Sequence, residues 1–170
     1  MNMSGLSPQE QAKKRAGYKA ADYITNGMTV GLGTGSTVAF TMARLKERMT
    51  EEGLSIVGIP TSIQTTMRAG ALGIPLIGLE QAEKVDITVD GADQIDPEMR
   101  LIKGRGAAHV RERIVADAST RLIIVADPSK ICSHLTGPIP IEIIPFSFSH
   151  VIRRLNEIGG MVTVREGVKK

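Results

Sequence analysis

Short runs of branched aliphatic residues recur along this chain, and each is followed by a turn and then by a helical stretch. Met28–Leu32 reads as a buried strand, and Leu54–Ile59, Gly73–Ile77, Val85–Asp90 and Arg121–Ala126 read as further strands. Between them, Ser36–Glu52, Ser62–Ala71 and Ala107–Ala118 read as helices, and Leu101-Ile102 as a further short strand. Strands that alternate with helices in this way predict a mostly parallel sheet, with helices on both faces, in a Rossmann-like α/β fold. A helix precedes the first strand. Ser7 caps it, Pro8 suits its first position, Glu10 closes a capping box, and Thr25-Asn26-Gly27 stops it after about Ile24.

Composition narrows the function classes. The chain has 170 residues, 42% of them hydrophobic and 23% charged, which is ordinary for a globular protein. A chain of this size buries roughly two-thirds of the surface that it exposes when unfolded. No stretch approaches the ~20 apolar residues of a membrane span, and Met1–Leu6 lacks the pattern of a secretory leader. The balance of 21 basic to 18 acidic residues is too even to argue for nucleic acid, and the five aromatic residues form no stacking platform. The basic run Lys13-Lys14-Arg15 reads as a solvated helix face. A single cysteine, Cys132, fits a reducing cytoplasm and reads as a small packed residue. His109, His134 and His150 are scattered, so neither a metal nor another cofactor is expected.

Composition shifts after Lys130, and Gly137-Pro138-Ile139-Pro140 reads as a boundary. Beyond it, Ile141–Ile144, Phe146–Ile158 and Met161–Val164 predict a strand, a helix ended by Gly159-Gly160, and a second strand. The expected division is a catalytic domain over 1–135 and a partial α+β piece over 136–170. One strand-helix-strand unit makes a poor domain by itself, so this piece is expected to pack on the first domain or on another chain, or to be the stump of something longer.

Three loops follow strands, where parallel sheets bind their ligands. Gly31-Leu32-Gly33-Thr34-Gly35-Ser36-Thr37 brings backbone N–H groups and hydroxyls to a helix N-terminus, a natural seat for phosphate or simply a capped turn. It is neither a P-loop nor a full dinucleotide fingerprint, because Ser36 stands where the last glycine belongs. Asp90-Gly91-Ala92-Asp93 brackets a tight turn with two carboxylates, which suit sugar hydroxyls, a metal, proton transfer or plain turn chemistry. In Lys103-Gly104-Arg105-Gly106-Ala107-Ala108, followed by Arg111-Glu112, the lysine can stabilise an oxyanion and the glutamate can act as a base. The same pair also suits a surface lysine and a helix-dipole glutamate.

Taken in order, these loops and Ala126-Asp127-Pro128-Ser129-Lys130 resemble ribose-5-phosphate isomerase type A, from about Gln11 to Gly167. The resemblance implies a metal-free proton transfer between C1 and C2 of a pentose phosphate through a cis-enediolate. It implies Glu112 as the base and Lys103 as the oxyanion partner, with Asp90 and Asp93 assisting ring opening and orienting hydroxyls. Thr34, Gly35, Ser36 and Thr37 would hold the phosphate, helped by backbone at Gly104, Arg105 and Gly106. Gly91 and Ala92 would line the substrate, and Lys130 and Lys13 would make further contacts. It also implies a homo-oligomer, a dimer or tetramer. Arg105 replaces a frequent family glycine, with its side chain expected toward solvent. Gln94 replaces a frequent glutamate, with little effect expected. Relative to the family, the chain is short at its C-terminus. The competing readings are a non-catalytic sugar-phosphate sensor like the effector domain of DeoR-type repressors, and an interaction fragment. A nucleotide-binding Rossmann protein is more distant. A sensor has no need of Lys103 and Glu112 together.

Overall fold

The computed structural model describes residues 5–165. The expectations that fall on Met1–Ser4 and on the stretch from Gly167 to Lys170 lie outside the described residues. These residues group into two compact units, one ending at Pro140 and the other beginning at Ile141.

The first unit is built on a four-stranded, all-parallel sheet in the order β2-β1-β3-β6. Its strands are β1 (Thr29–Leu32), β2 (Val57–Pro60), β3 (Val85–Gly91) and β6 (Ser119–Val125). The register places Val30 beside Gly58 and Ile87, and Gly31 beside Ile59 and Thr88. Neighbours across a parallel sheet share a face, so two covered faces result. On one, Val30, Leu32, Ile87, Val89 and Val125 pack with Ala20, Ala21 and Ile24 at the end of α1 (Pro8–Ala21). Val38, Met42 and Leu45 of α2 (Ser36–Glu51) and Ala69 of α3 (Ile63–Ala71) complete that core. Ile59, whose neighbour across the sheet is Gly31, lies on the other face, and it forms a smaller cluster with Val85 and with Val115 of α4 (His109–Asp117). Among the described residues no helix is long and apolar enough to cross a membrane.

The first helix begins as its sequence predicts, with the Ser7–Glu10 capping box in place and Pro8 in the first turn. It ends earlier than expected, at Ala21, because Arg48 of α2 donates to the carbonyls of Ala21 and Ile24 at 2.6 and 2.7 Å. The two helices approach closely at Gly17. A Cβ there would stand 2.8 Å from both Thr37 O and Thr41 N. Gly17→Ala is therefore expected to destabilise the protein by about 1–3 kcal/mol in chemical denaturation, through overpacking. Helix propensity alone predicts the opposite sign, a gain of about 1 kcal/mol.

Three strand expectations are corrected. Gly73–Ile77 contributes a single bridge, Leu76 to Gly58. Pro75 accepts from Gly58 N at 2.8 Å but has no N–H with which to extend a ladder. Ile141–Ile144 and Met161–Val164 run as irregular chain. Strands need partners, and among the described residues neither segment pairs with one. The second unit, read alone, is a one-turn 3₁₀ helix (Pro145–Ser147) leading into α5 (Phe148–Glu157). The strand-helix-strand of the predicted α+β piece is thus only its helix. Leu101-Ile102 forms β5, but in a separate antiparallel pair with β4 (Gln94–Ile95). Two residues are too few to show a strand period in sequence, which is why β4 was not legible.

Candidate active site

The loops after β1, β3, β5 and β6 converge beyond the carboxyl ends of the parallel strands, around a cavity of about 220 Å³. Every residue to which the resemblance assigned a catalytic or substrate-binding role lines this cavity except Asp90.

The glycine-rich loop supplies one wall. Gly35, at φ 128°, is the N-cap of α2 and makes no side-chain cap, so the first N–H groups of that helix face the cavity without a protein partner of that kind. Ser36 and Thr37 stand at this end with their hydroxyls. Thr34 also lines the cavity, but its hydroxyl is engaged. It donates to Ser62 Oγ at 2.8 Å and lies 3.0 Å from Thr61 Oγ1 and 3.3 Å from Thr65 Oγ1. Thr65 in turn donates to Gly33 O at 2.9 Å. This hydroxyl cluster ties the phosphate-type loop to the start of α3. Thr61, Ser62 and Thr65 were missed in the sequence, although they too follow a strand, and that position was the available signal.

Behind this loop lies Asp90, fully buried. Its Oδ1 accepts from Gly91 N at 2.7 Å and Thr34 N at 3.2 Å, and its Oδ2 accepts from Lys103 Nζ at 2.8 Å. Gly33 permits this approach, since a Cβ at that position would lie 2.6 Å from Asp90 Cα. Asp90 thus grips Lys103 and the loop rather than facing the cavity. Lys103 also donates to Gly91 O at 2.5 Å, and its ammonium stands 3.5 Å from Glu112 Oε2. The predicted lysine–glutamate pair is therefore formed, from the end of β5 and the first turn of α4.

Glu112 is 4% exposed. Burial pushes its carboxyl above the ordinary glutamate range, and the Asp90 charge adds to this, while the Lys103 charge and hydrogen bond oppose it. A carboxylate held in this way is a stronger base than one in water. Asp93 lines the cavity and accepts from Arg105 N at 2.9 Å, which fixes the Lys103–Gly106 loop. That loop ends on Ala107 at φ 59°, a left-handed non-glycine residue. The Arg105 side chain is exposed, as expected.

Lys13 of α1 and Lys130, on a 3₁₀ turn after β6, bring positive charge to the same cavity. Asp127 and Gln64 line it as well, and neither was assigned a role from sequence. Gln94 lies outside. It donates to Thr136 Oγ1 at 3.3 Å and accepts from Thr136 N and Gly137 N, both at 2.9 Å, so it holds the segment that leaves the sheet. A glutamate could not make the first of these bonds. Among the described residues no group of three or more His, Cys, Asp and Glu side chains is placed to hold a metal ion.

Comparison with known proteins gives a consistent result. The family model of ribose 5-phosphate isomerase A (phosphoriboisomerase A) matches residues 57–170. The chain is 47% identical to the ribose-5-phosphate isomerase A of Methanosarcina acetivorans over 169 residues, which is 99% of this chain and 71% of that protein. It is likewise 47% identical to that of Thermosynechococcus vestitus over 164 residues, 95% of this chain and 70% of that one. Among solved structures, ribose 5-phosphate isomerase A from Methanocaldococcus jannaschii superposes with a TM-score of 0.90 at 39% identity, over 95% of this chain and 73% of that one. A D-ribose-5-phosphate isomerase solved in complex with phospho-erythronic acid also gives 0.90, at 38% identity, over 96% of this chain and 73% of that one.

Proposed function

This chain belongs to the ribose 5-phosphate isomerase A family, and from that premise we propose that it interconverts D-ribose 5-phosphate and D-ribulose 5-phosphate by moving one proton between C1 and C2. The observation that carries the mechanism is the Lys103–Glu112 pair, 3.5 Å apart, with Asp90 gripping the lysine from behind. Glu112 removes the proton from C2 of the open-chain aldose and returns it to C1. The electron pair passes through a cis-enediolate, whose oxygen charge Lys103 stabilises, while the proton on the O2 hydroxyl passes to O1. The reaction is an isomerisation, so no atom or electron is left over.

The other residues divide by position. Gly35, Ser36 and Thr37 hold the phosphate with backbone and hydroxyl donors, and Lys13 and Lys130 supply charge. Gly104, Arg105 and Gly106 contribute backbone to the same end. Gly91, Ala92 and Asp93 face the sugar, where Asp93 orients hydroxyls and assists ring opening. Asp90 and Thr34 act from behind, as positioning residues. In this reading residues 1–135 carry the chemistry, 136–170 belong to a smaller α+β piece, and the protein works in the cytoplasm as a homo-oligomer, a dimer or tetramer.

Ribulose 5-phosphate should form from ribose 5-phosphate in the presence of EDTA, because the base and the cation are both side chains. Folded protein that binds the sugar phosphate without converting it would overturn this in favour of a sensor. Turnover lost in EDTA and restored by a divalent cation would overturn the metal-free mechanism.

A further inference from the structure

Asp127 is not used by the mechanism above, yet it sits in the cavity wall at the phosphate end, 2% exposed. Its Oδ1 is fully engaged. It accepts from Ser129 Oγ at 2.6 Å, from Ser129 N at 3.1 Å and from Gln9 Nε2 at 3.3 Å. The two bonds from Ser129 cap the turn that carries Lys130. The bond from Gln9 reaches across to α1, one helical turn before Lys13. Its other oxygen, Oδ2, is buried and has no hydrogen-bond partner among the described residues. Burial raises the pKa of this carboxyl, but the bonds from Ser129 and Gln9 and the charge of Lys13 outweigh that and hold it below the ordinary aspartate value, so the group is ionised at neutral pH. An ionised oxygen buried without a donor is costly. The nearby cation is Lys13, which lines the same cavity and makes no hydrogen bond or ion pair among the described residues.

We infer that Asp127 is a positioning residue for the phosphate end of the cavity, joining α1 to the Lys130 turn and offering Oδ2 as the acceptor that holds the Lys13 ammonium toward the anion. One carboxylate thereby sets two cations that come from sequence positions 117 residues apart. Asp127 touches no reacting atom. Its negative charge is tolerated near the phosphate because it fixes Lys13 between the two. The identity of the anion rests on the isomerase reading, while the Asp127–Lys13 coupling does not.

The test uses the full chain and inorganic phosphate as the probe, titrated by calorimetry, alongside ribose 5-phosphate kinetics. Asp127→Asn keeps an oxygen for Ser129 and Gln9 and changes only Oδ2. It should weaken phosphate binding about tenfold and raise KM by a similar factor, with a smaller change in kcat. In a Lys13→Met background the same substitution should have little further effect, because coupled residues are not additive. Gln9→Leu, which leaves the carboxylate in place but cuts the tie to α1, should weaken phosphate binding about threefold, and it decides the matter if the asparagine variant does not fold. The inference is overturned if Asp127→Asn binds phosphate as tightly as the unaltered chain or tighter, if its effect is the same with and without Lys13, if the loss falls on kcat, or if the unaltered chain does not bind phosphate. Phosphate binding that shows the coupling in a chain without turnover would instead sink the isomerase reading and leave this inference standing.

Discussion

Glu112→Gln is expected to lower kcat by about 10²–10⁴-fold, the range for loss of a positioned general base, while the protein remains at least as stable at neutral pH. The two effects have one cause. Burial raises the folded-state pKa of Glu112 above its unfolded value. Such a group favours the folded state most when it is protonated, below the unfolded value, and that contribution is lost as pH rises through the higher folded value. When ionised, this carboxylate sits in a place that burial disfavours, and that is what makes it basic. Glutamine removes the charge, and Lys103 keeps Asp90 Oδ2 at 2.8 Å and Gly91 O as partners. Steady-state rates and urea denaturation of the two proteins check the pair of expectations. The pH profile adds a third reading. In the unaltered enzyme kcat/KM should fall toward acid along a limb displaced above the usual glutamate value of about 4.3. A glutamine variant with near-normal kcat would remove Glu112 from the mechanism.

Lys103→Met should be damaging in two separable ways. It strips the cation from Asp90, whose side chain is wholly buried. Breaking one side of a buried pair costs about 3–5 kcal/mol, because the remaining charge has no compensation. It also removes the group that faces the developing oxyanion, a loss on the order of 10²–10³-fold in kcat. Adding Asp90→Asn to this variant should recover much of the stability, since the orphaned charge is gone, without recovering turnover. Any residual activity should show its acid limb shifted further upward, because the Lys103 charge opposes the rise at Glu112. Denaturation midpoints and pH–rate profiles for the single and double variants decide this. Full stability in Lys103→Met would mean that the Asp90–Lys103 bond is not the support described above.

Most cavity residues were legible in the sequence because they lie in a loop that follows a strand, or on the helix that loop leads into, where parallel topology puts ligands; Lys13, on α1, came only from the resemblance. Glycines at 31, 33 and 35, carboxylates at 90 and 93, and the Lys103-to-Glu112 spacing are local patterns, and only their combined order made them specific. What was not legible depended on distant partners. Asp90 reads as a second sugar-facing acid, yet it turns inward, because Thr34 N and Lys103 Nζ, 56 and 13 residues away, both converge on it. Gln9 and Asp127, 118 residues apart, share a hydrogen bond that no spacing rule could suggest.

The elements divide in the same way. Local chemistry decided the start of α1, where Ser7, Pro8 and Glu10 act within one turn. It decided the cores of β1 and β3 too, whose branched apolar residues suit strands buried on both faces. By itself, then, the sequence determined the strand–helix alternation and put forward the glycine-rich loop, the carboxylates and the lysines as candidates for the site. The tertiary structure alone decided which of these face the cavity, how far Glu112 is driven from its ordinary acidity, and whether apolar runs such as Ile141–Ile144 become strands. The physical reason is that propensity and turn chemistry act over a few residues, whereas burial, ion pairing and strand pairing each need a partner supplied by another part of the chain.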